Sequence, residues 1–392
     1  MELQKNLDAI LKGAVEAGDV PGVVVALCEN KSMLYEGAFG KRGLKRTDDM
    51  TTDSVFALAS MTKTVTAIAV MQLVEQGKVD LDSPASFWVP YLARVKVLEG
   101  FDGQGKPLLR PLRRSITVRH LLTHTAGFAY EAWNADLIRY QEATETPNLY
   151  SNTEGYLKCP VFFDPGERWQ YGIGMNWVAK LVENASGLKF GVYLRQNIFN
   201  PLGMMLTAHK YTPEMGAVNT SLHNREADGS LTMKGGDQGN QDLDFESGGG
   251  GLFSTAGDYL KLCQMILNRG AGPDGRRVLR TETVGLMMRN AIGDLRVTAL
   301  KSVESHISND MDFFPGIRKT WGLSWMINEE IAPTGRSAGS LFWGGLLNTY
   351  FWIDPQKNIA GVYLTQILPF CDIKALPLFY AVEKTVYDTL PQ

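Results

Sequence analysis

The stretch FALASMTKTVTAIAV, residues 56–70, has the composition of a buried helix and contains one charged side chain, Lys63. Lys63 follows Ser60 by three residues, so the two side chains lie on one helix face, one turn apart. Two interpretations are open. A lone lysine usually runs its stem along apolar neighbours and keeps its ammonium group in water. A lysine withdrawn from water instead has a lowered pKa and activates a nearby serine as a nucleophile.

The overall composition is that of a globular protein, with 44% hydrophobic and 21% charged residues in a chain of 392. Lys and Arg total 39 against 42 for Asp and Glu, a net charge of -3. Without a basic excess to neutralise phosphates, nucleic acid is not an expected partner.

Membrane insertion and secretion are not expected either. No uncharged apolar run is long enough to span a bilayer, and the N-terminal stretch MELQKNLDAILKGAVEAG carries charges throughout, unlike a signal peptide. The cysteines lie far apart and form no C-x-x-C pair, which favours free thiols in a reducing compartment. We therefore expect a cytoplasmic protein.

The strand signals lie near both ends of the chain. GVVVALCEN and MLYEGAFG read as a hairpin, while helical patterns ending in Gly or Asn fill the middle. The sequence therefore predicts an α+β fold, with one antiparallel sheet built from both termini, flanked by helices and interrupted by a mostly helical insertion. The predicted regions are a discontinuous sheet region, 1–85 with 319–392, and a helical region, 86–318, with the active site in the cleft between them. Further predicted strands are TWGLSWMINEE, LFWGGLLNTYFWIDP and NIAGVYLTQ, followed by a final helix near 373–390.

Tyr171, in DPGERWQYGIGMNW, is a second catalytic candidate. A tyrosine after such a turn is more often a packing residue with a satisfied hydroxyl. Beside Lys63, however, its phenolate would be stabilised by the ammonium group and would become a usable base.

Two glycines, Gly344 and Gly345, interrupt the predicted aromatic strand LFWGGLLNTYFWIDP. They indicate close approach by a ligand or another segment, with a bulge as the alternative. A backbone N–H next to them, together with the N–H of Ser60, would form an oxyanion hole.

Three other motifs are assigned to structure. Ser337 in GRSAG matches a nucleophile elbow but lies between strands with no histidine after it, so we read it as a turn. His120 and His124 lack the glutamate of a zinc-protease helix, and helix packing is the default. In SGGGGLFSTAGDYL, Thr255 and Asp258 predict a helix N-cap and its box partner, and the glycines let the backbone pass close beneath the cleft.

SMTK, QYGIG and FWGGLLNTYFWIDP, in that order and at these separations, resemble the serine hydrolases of the class C β-lactamase and penicillin-binding fold. LLTHTAGF and SGGGGLFSTAGDYL resemble conserved segments between these motifs, so the likeness covers nearly the whole chain. It implies a β-lactamase/DD-peptidase-like fold.

Within that family the chain most resembles the family VIII carboxylesterases. Where β-lactamases have Lys-Thr-Gly, this sequence has Trp343, Gly344 and Gly345, and TQILPF also resembles the esterases. Where β-lactamases have Tyr-x-Asn, it has Tyr171 followed by Gly172 and Ile173. Both polar contacts to a penicillin-like substrate are replaced, which predicts poor β-lactam hydrolysis.

The resemblance implies a carboxylesterase for short-chain esters that uses no metal or organic cofactor. Ser60 would attack the ester, Lys63 and Tyr171 would together move the proton, and the N–H groups of Ser60 and Leu346 would bind the oxyanion. Which of Lys63 and Tyr171 is the base stays open, because coupled groups share their titrations. The other substrate-binding candidates are Trp343, Gly344, Gly345, Tyr130 and Ile173. The alternatives are an acyltransferase, a β-lactamase, a D-amino-acid amidase or peptidase, and a non-catalytic peptide-binding protein.

Overall fold

The computed structural model describes residues 2–30, 32–151, 153–234 and 245–389. Its strands are β1 (Gly22–Glu29), β2 (Met33–Gly40), β3 (Phe56–Ala57), β4 (Lys96–Phe101), β5 (Pro107–Pro111), β6 (His223–Arg225), β7 (Leu231–Met233), β8 (Phe253–Ser254), β9 (Lys319–Trp321), β10 (Met326–Asn328), β11 (Leu341–Gly345), β12 (Thr349–Asp354), β13 (Ile359–Leu364) and β14 (Ile367–Leu368). Its α-helices are α1 (Glu2–Glu16), α2 (Thr62–Glu75), α3 (Val118–Leu122), α4 (Ala135–Thr144), α5 (Gly174–Ser186), α6 (Phe190–Leu194), α7 (Asn200–Leu202), α8 (Pro213–Ala217), α9 (Ala256–Leu267), α10 (Thr281–Met287) and α11 (Ala375–Thr389). Short 3₁₀ turns at Ala59–Met61 and Glu131–Trp133 also matter for the site.

The main sheet of the described chain has the strand order β2-β1-β13-β12-β11-β10-β9. Every neighbouring pair is antiparallel, and the β1–β13 pair joins the N-terminal hairpin to the C-terminal strands. The prediction of an α+β fold with one antiparallel sheet built from both termini is confirmed.

The sequence interpretation of LFWGGLLNTYFWIDP as one strand is wrong. The segment forms two paired strands, β11 and β12, because the chain turns through Leu346, Leu347 and Asn348. Asn348 has φ 58°, the left-handed conformation that Asn adopts more readily than most residues. The paired glycines therefore lie at the end of a strand, next to a tight turn.

Both faces of the sheet are covered by helices. Side chains alternate between faces along a strand, so Phe351 points away from its neighbours Tyr350 and Trp352. The ring of Phe379 on α11 packs against Tyr350 and Trp352, whereas Tyr259 on α9 packs against Phe351. All residues of β12 are buried, as expected for a strand between two helical layers.

Helix α2 is buried from Thr62 to Leu73 and packs against α5, which belongs to the predicted helical region. Short hairpins such as β4–β5 also interrupt the helical part. The exact boundaries of the two predicted regions stay a prediction. Within the part of the chain that the structure describes, no helix combines the length and apolar character needed to cross a membrane.

Candidate active site

Ser60 lies in the 3₁₀ turn that leads into α2, where the sequence places it beside the start of a helix. The preceding residue, Ala59, has φ 44°, a left-handed conformation that costs energy for a residue with a Cβ. The end of β11 packs against this turn. A Cβ on Gly345 would overlap the carbonyl oxygen of Leu58 and the hydroxyl of Thr349, so only glycine fits here. The close approach predicted for this glycine is therefore made by another chain segment.

Lys63 is sealed inside the protein, with 1% of its surface exposed. Its Nζ lies 2.9 Å from Oγ of Ser60 and donates to the carbonyl oxygen of Gly249 at 2.5 Å. Burial lowers the pKa of Lys63 well below its ordinary value of 10.5. The ammonium group does not reach solvent, so the interpretation of Lys63 as a helix residue that keeps its ammonium group in water is wrong.

The glycine-rich segment at 248–251 passes directly beside this lysine, as the sequence predicts. A Cβ on Gly249 would lie 2.8 Å from Oδ1 of Asn176 and 3.0 Å from the hydroxyl of Tyr130. The N–H of Gly249 donates to Oδ1 of Asn176 at 2.6 Å, and Oγ of Ser247 donates to the same oxygen at 2.7 Å. Sequence reasoning missed Asn176, although an amide in the first turn of the helix after Tyr171 was the available signal.

The helix cap downstream of these glycines is partly as predicted. The side chain of Thr255 accepts a hydrogen bond from the N–H of Asp258, so Thr255 is the N-cap of α9. The carboxylate of Asp258 instead accepts from the N–H of Leu206 at 2.8 Å, which ties α9 to the preceding loop. The expected reciprocal box is therefore replaced by a long-range contact.

The hydroxyl of Tyr171 is held between two partners. It accepts a hydrogen bond from Nε1 of Trp343 at 3.0 Å, and the hydroxyl of Ser60 lies close enough to lower its pKa. Nζ of Lys63 lies 4.8 Å from the centre of the tyrosine ring. Burial raises the pKa of Tyr171, and the bonds from Ser60 and Trp343 only partly oppose it. The opposite shifts of Lys63 and Tyr171 favour a neutral amine beside a neutral phenol.

The ring of His124 packs against the ring of Tyr171. Its Nδ1 accepts from the N–H of Gly172 at 3.4 Å, and its ring centre lies 4.6 Å from that of Tyr171. Burial, with the charge of Lys63 second, lowers its pKa well below the ordinary value, so it is a neutral packing residue. His120 completes the capping box of α3, because its Nδ1 accepts from the N–H of Thr117 at 3.2 Å, and burial lowers its pKa to about 4. Among the described residues, no three His, Cys, Asp or Glu side chains cluster in a way that could hold a metal ion.

The backbone N–H groups of Ser60 and Leu346 have no protein acceptor within the described residues. Both residues line the same cavity. Free N–H groups beside a nucleophile are what an oxyanion hole requires. This assignment stays a prediction that the geometry allows.

A cavity of about 300 Å³ opens beside Ser60. Of the predicted substrate-binding residues, Tyr130 lines it, whereas Trp343, Gly344, Gly345 and Ile173 do not. Trp343 is 1% exposed and lies beneath Tyr171, so it holds a catalytic candidate rather than forming the pocket wall. The wall is formed by Ala59, Ser60, Tyr130, Glu131, Ala132, Trp133, Leu149, Tyr150, Tyr156, Tyr171, Asn176, Phe245, Ser247, Gly249, Gly250, Gly251 and Leu346.

Ser337, the alternative nucleophile, lies in the loop between β10 and β11, outside the cavity wall. Its N–H donates to Oδ2 of Asp354 at 2.9 Å, and its carbonyl accepts from Ser340 and Asn328. These contacts are those of a structural loop residue.

A buried lysine paired with a serine, beneath a sheet built from both termini, defines a serine-hydrolase-type enzyme. The chain belongs to the β-lactamase family, whose model matches residues 7–376. It is 32% identical to the monacolin J acid methylbutanoyltransferase of Aspergillus terreus, over 98% of this chain and 96% of that protein. It is 29% identical to the lovastatin esterase of Penicillium rubens, over 93% of both chains. Unliganded simvastatin synthase (LovD) from Aspergillus terreus superposes with a TM-score of 0.85 at 30% identity, over 98% of both chains.

Proposed function

We propose that this enzyme transfers acyl groups from an ester-type donor to an alcohol through an acyl-enzyme on Ser60, with water as the slower acceptor. The observation that carries the proposal is the buried Ser60–Lys63 contact at 2.9 Å, opening onto a cavity lined mostly by apolar and aromatic groups. Such a wall favours an organic second substrate over water. The two relatives named above, a methylbutanoyltransferase and an esterase, support both outcomes and rank transfer above the simple short-chain esterase expected from the sequence.

In this mechanism neutral Lys63 is the base. Its Nζ accepts the proton of Ser60 as Oγ bonds to the acyl carbon, and the N–H groups of Ser60 and Leu346 stabilise the oxyanion. The phenol of Tyr171 then donates its proton to the departing alkoxide, and Lys63 returns a proton to Tyr171. An acceptor alcohol enters by the reverse of the same steps, so the protons balance over the cycle.

β-Lactams are expected to be poor substrates. At the position of the β-lactamase Lys-Thr-Gly motif, Trp343 is buried beneath Tyr171 and offers no cation to a substrate carboxylate. A site without that contact gains no transition-state stabilisation from the carboxylate.

The four buried, unpaired cysteines support the proposed cytoplasmic location.

Product analysis tests this function. Purified enzyme is given p-nitrophenyl butyrate with increasing concentrations of a primary alcohol, and the butyrate ester and butyric acid are quantified. Transfer predicts that the ester becomes the main product and that release of p-nitrophenol accelerates when deacylation is limiting. Formation of butyric acid alone at every alcohol concentration would show that the enzyme only hydrolyses esters, which would contradict the proposed transfer. Ser60→Ala is expected to abolish both products, whereas Ser337→Ala is expected to retain them.

A further inference from the structure

One carboxylate, that of Glu131, lies on the wall of the catalytic cavity. Glu131 is 5% exposed, and its Oε1 accepts from Nε2 of Gln141 at 2.6 Å and from the N–H of Leu149 at 3.0 Å. Within the described residues, no hydrogen bond or ion pair involves its Oε2. This oxygen is not among the fully buried polar atoms, so it is available to a molecule in the cavity.

Aromatic residues line the same cavity as this carboxylate. Trp133 belongs to the same 3₁₀ turn as Glu131, and its indole N–H donates to Oγ of Ser308 at 3.2 Å, which fixes the ring. Tyr150 follows Leu149, whose N–H is held by Glu131, and Tyr156 also lines the cavity. Hydrogen bonds therefore hold both the carboxylate of Glu131 and the ring of Trp133 in place on the same cavity wall. Aromatic faces and a carboxylate share an affinity for organic cations.

No opposing cation lies on the cavity wall within the part of the chain that the structure describes. None of the described residues that line the cavity is Lys or Arg, and burial disfavours the charged form of Lys63, which is not part of the wall. A second carboxylate, Glu304, lies close by. Burial raises its pKa, the charge of His306 opposes that rise, and the charge of Glu131 adds to it. The electrostatic potential at this end of the cavity therefore favours a positively charged ligand.

We propose that the alcohol handled by this enzyme, whether it leaves the donor ester or accepts the acyl group, carries an ammonium group that binds the free oxygen of Glu131 and the rings of Trp133 and Tyr150. Leaving and accepting alcohols occupy the same subsite, because the second half-reaction reverses the first. This inference rests on the acyl-transfer function proposed above and names its substrate class.

A matched pair of esters isolates the charge. Butyrylcholine and 3,3-dimethylbutyl butyrate have the same shape, but the first carries a quaternary ammonium where the second carries a neutral tert-butyl group. We expect wild-type kcat/KM to favour butyrylcholine by about tenfold or more, the range of a desolvated cation–aromatic and charge contact. Calorimetric titration with choline and with 3,3-dimethylbutan-1-ol gives the same comparison without catalysis.

Glu131→Gln removes the charge while its amide oxygen still accepts from Gln141 and Leu149, so the surrounding loop is expected to stay folded. The ratio of the two kcat/KM values should fall towards one in this variant. Glu142→Gln, which makes the same change at an exposed position of α4, should leave the ratio unaltered. Thermal unfolding of each variant monitors folding.

The outcomes separate the two proposals. Equal kcat/KM values for the two esters in the wild type, with equal binding of the two alcohols, would overturn the ammonium preference while leaving acyl transfer by Ser60 intact. A ratio that survives Glu131→Gln would overturn the role of Glu131. Failure to turn over either ester, with no adduct on Ser60, would remove the proposed function, and the calorimetric comparison would then decide the ammonium preference alone.

Discussion

Replacing Lys63 by Met removes the amine and keeps the apolar stem, which makes it the sharpest perturbation of the catalytic candidates. General acid–base catalysis contributes about 10²–10⁴ in rate, or about 3–5 kcal/mol of barrier. We therefore expect kcat for p-nitrophenyl butyrate to fall by at least about 10². The exposed helix residue Lys12 offers a matched control, and Lys12→Met should retain normal turnover.

Stability should respond in a different way. Met at position 63 leaves the carbonyl of Gly249 without its donor, which costs about 1–3 kcal/mol, but it also ends the burial of a polar amine. The two effects oppose, so the free energy of unfolding should lie within about 2 kcal/mol of wild type. Because the folded-state pKa of Lys63 is lowered, wild-type stability rises with pH from that pKa up to 10.5, where the unfolded chain loses its proton. Any advantage of the Met variant should therefore shrink as pH rises.

Stopped-flow measurement of p-nitrophenol release, beside circular dichroism and urea unfolding, gives both quantities. A folded Lys63→Met enzyme with near-normal kcat would refute the assignment of Lys63 as the base.

Three further variants test the neighbouring groups. Tyr171→Phe should lower kcat by about 10²–10⁴. The double variant with Lys63→Met should lose much less than the product of the two single losses, since the two groups act as a unit. A double-variant loss equal to that product would contradict the shared proton path. Trp343→Phe, which removes the donor to the Tyr171 hydroxyl, should lower kcat by about tenfold with KM little changed, as expected for a lost positioning bond; a large KM effect alone would instead assign Trp343 to binding. Gly345→Ala should lower both the urea midpoint and kcat, because a Cβ has no space beside the turn that carries Ser60; the free energy of unfolding should fall by about 1–3 kcal/mol. An unchanged enzyme would show that the end of β11 can move to make room for the methyl group.

Much of the architecture could be predicted because its signals are local. Runs of apolar and β-branched residues separated by short polar turns define the hairpins, and helices end at Gly or Asn where the sequence indicates. The pairing of Ser60 with Lys63 follows from one turn of helix. The turn after Gly345 was missed because two consecutive leucines hide it, and only Asn348 in a left-handed conformation marks it.

The functional details were harder to predict because they depend on contacts between distant parts of the chain. Lys63 donates to the carbonyl of Gly249, 186 residues away, and burial rather than spacing lowers its pKa. Trp343 appears in the sequence as an aromatic pocket residue, and only packing shows that it lies beneath Tyr171. The cavity carboxylate Glu131 has no motif around it and becomes visible only once the fold places it.

The most direct test of the central claim is mass spectrometry of the acylated enzyme. Tyr171→Phe enzyme is mixed with p-nitrophenyl butyrate, quenched in acid and digested. We expect deacylation to be slowed more than acylation in this variant, because p-nitrophenolate leaves without a proton donor. The account predicts a single butyryl adduct on the peptide containing Ser60, absent from a Ser60→Ala control and discharged by an added alcohol. Consumption of the ester with no adduct on Ser60, or an adduct on the peptide containing Ser337, would contradict it.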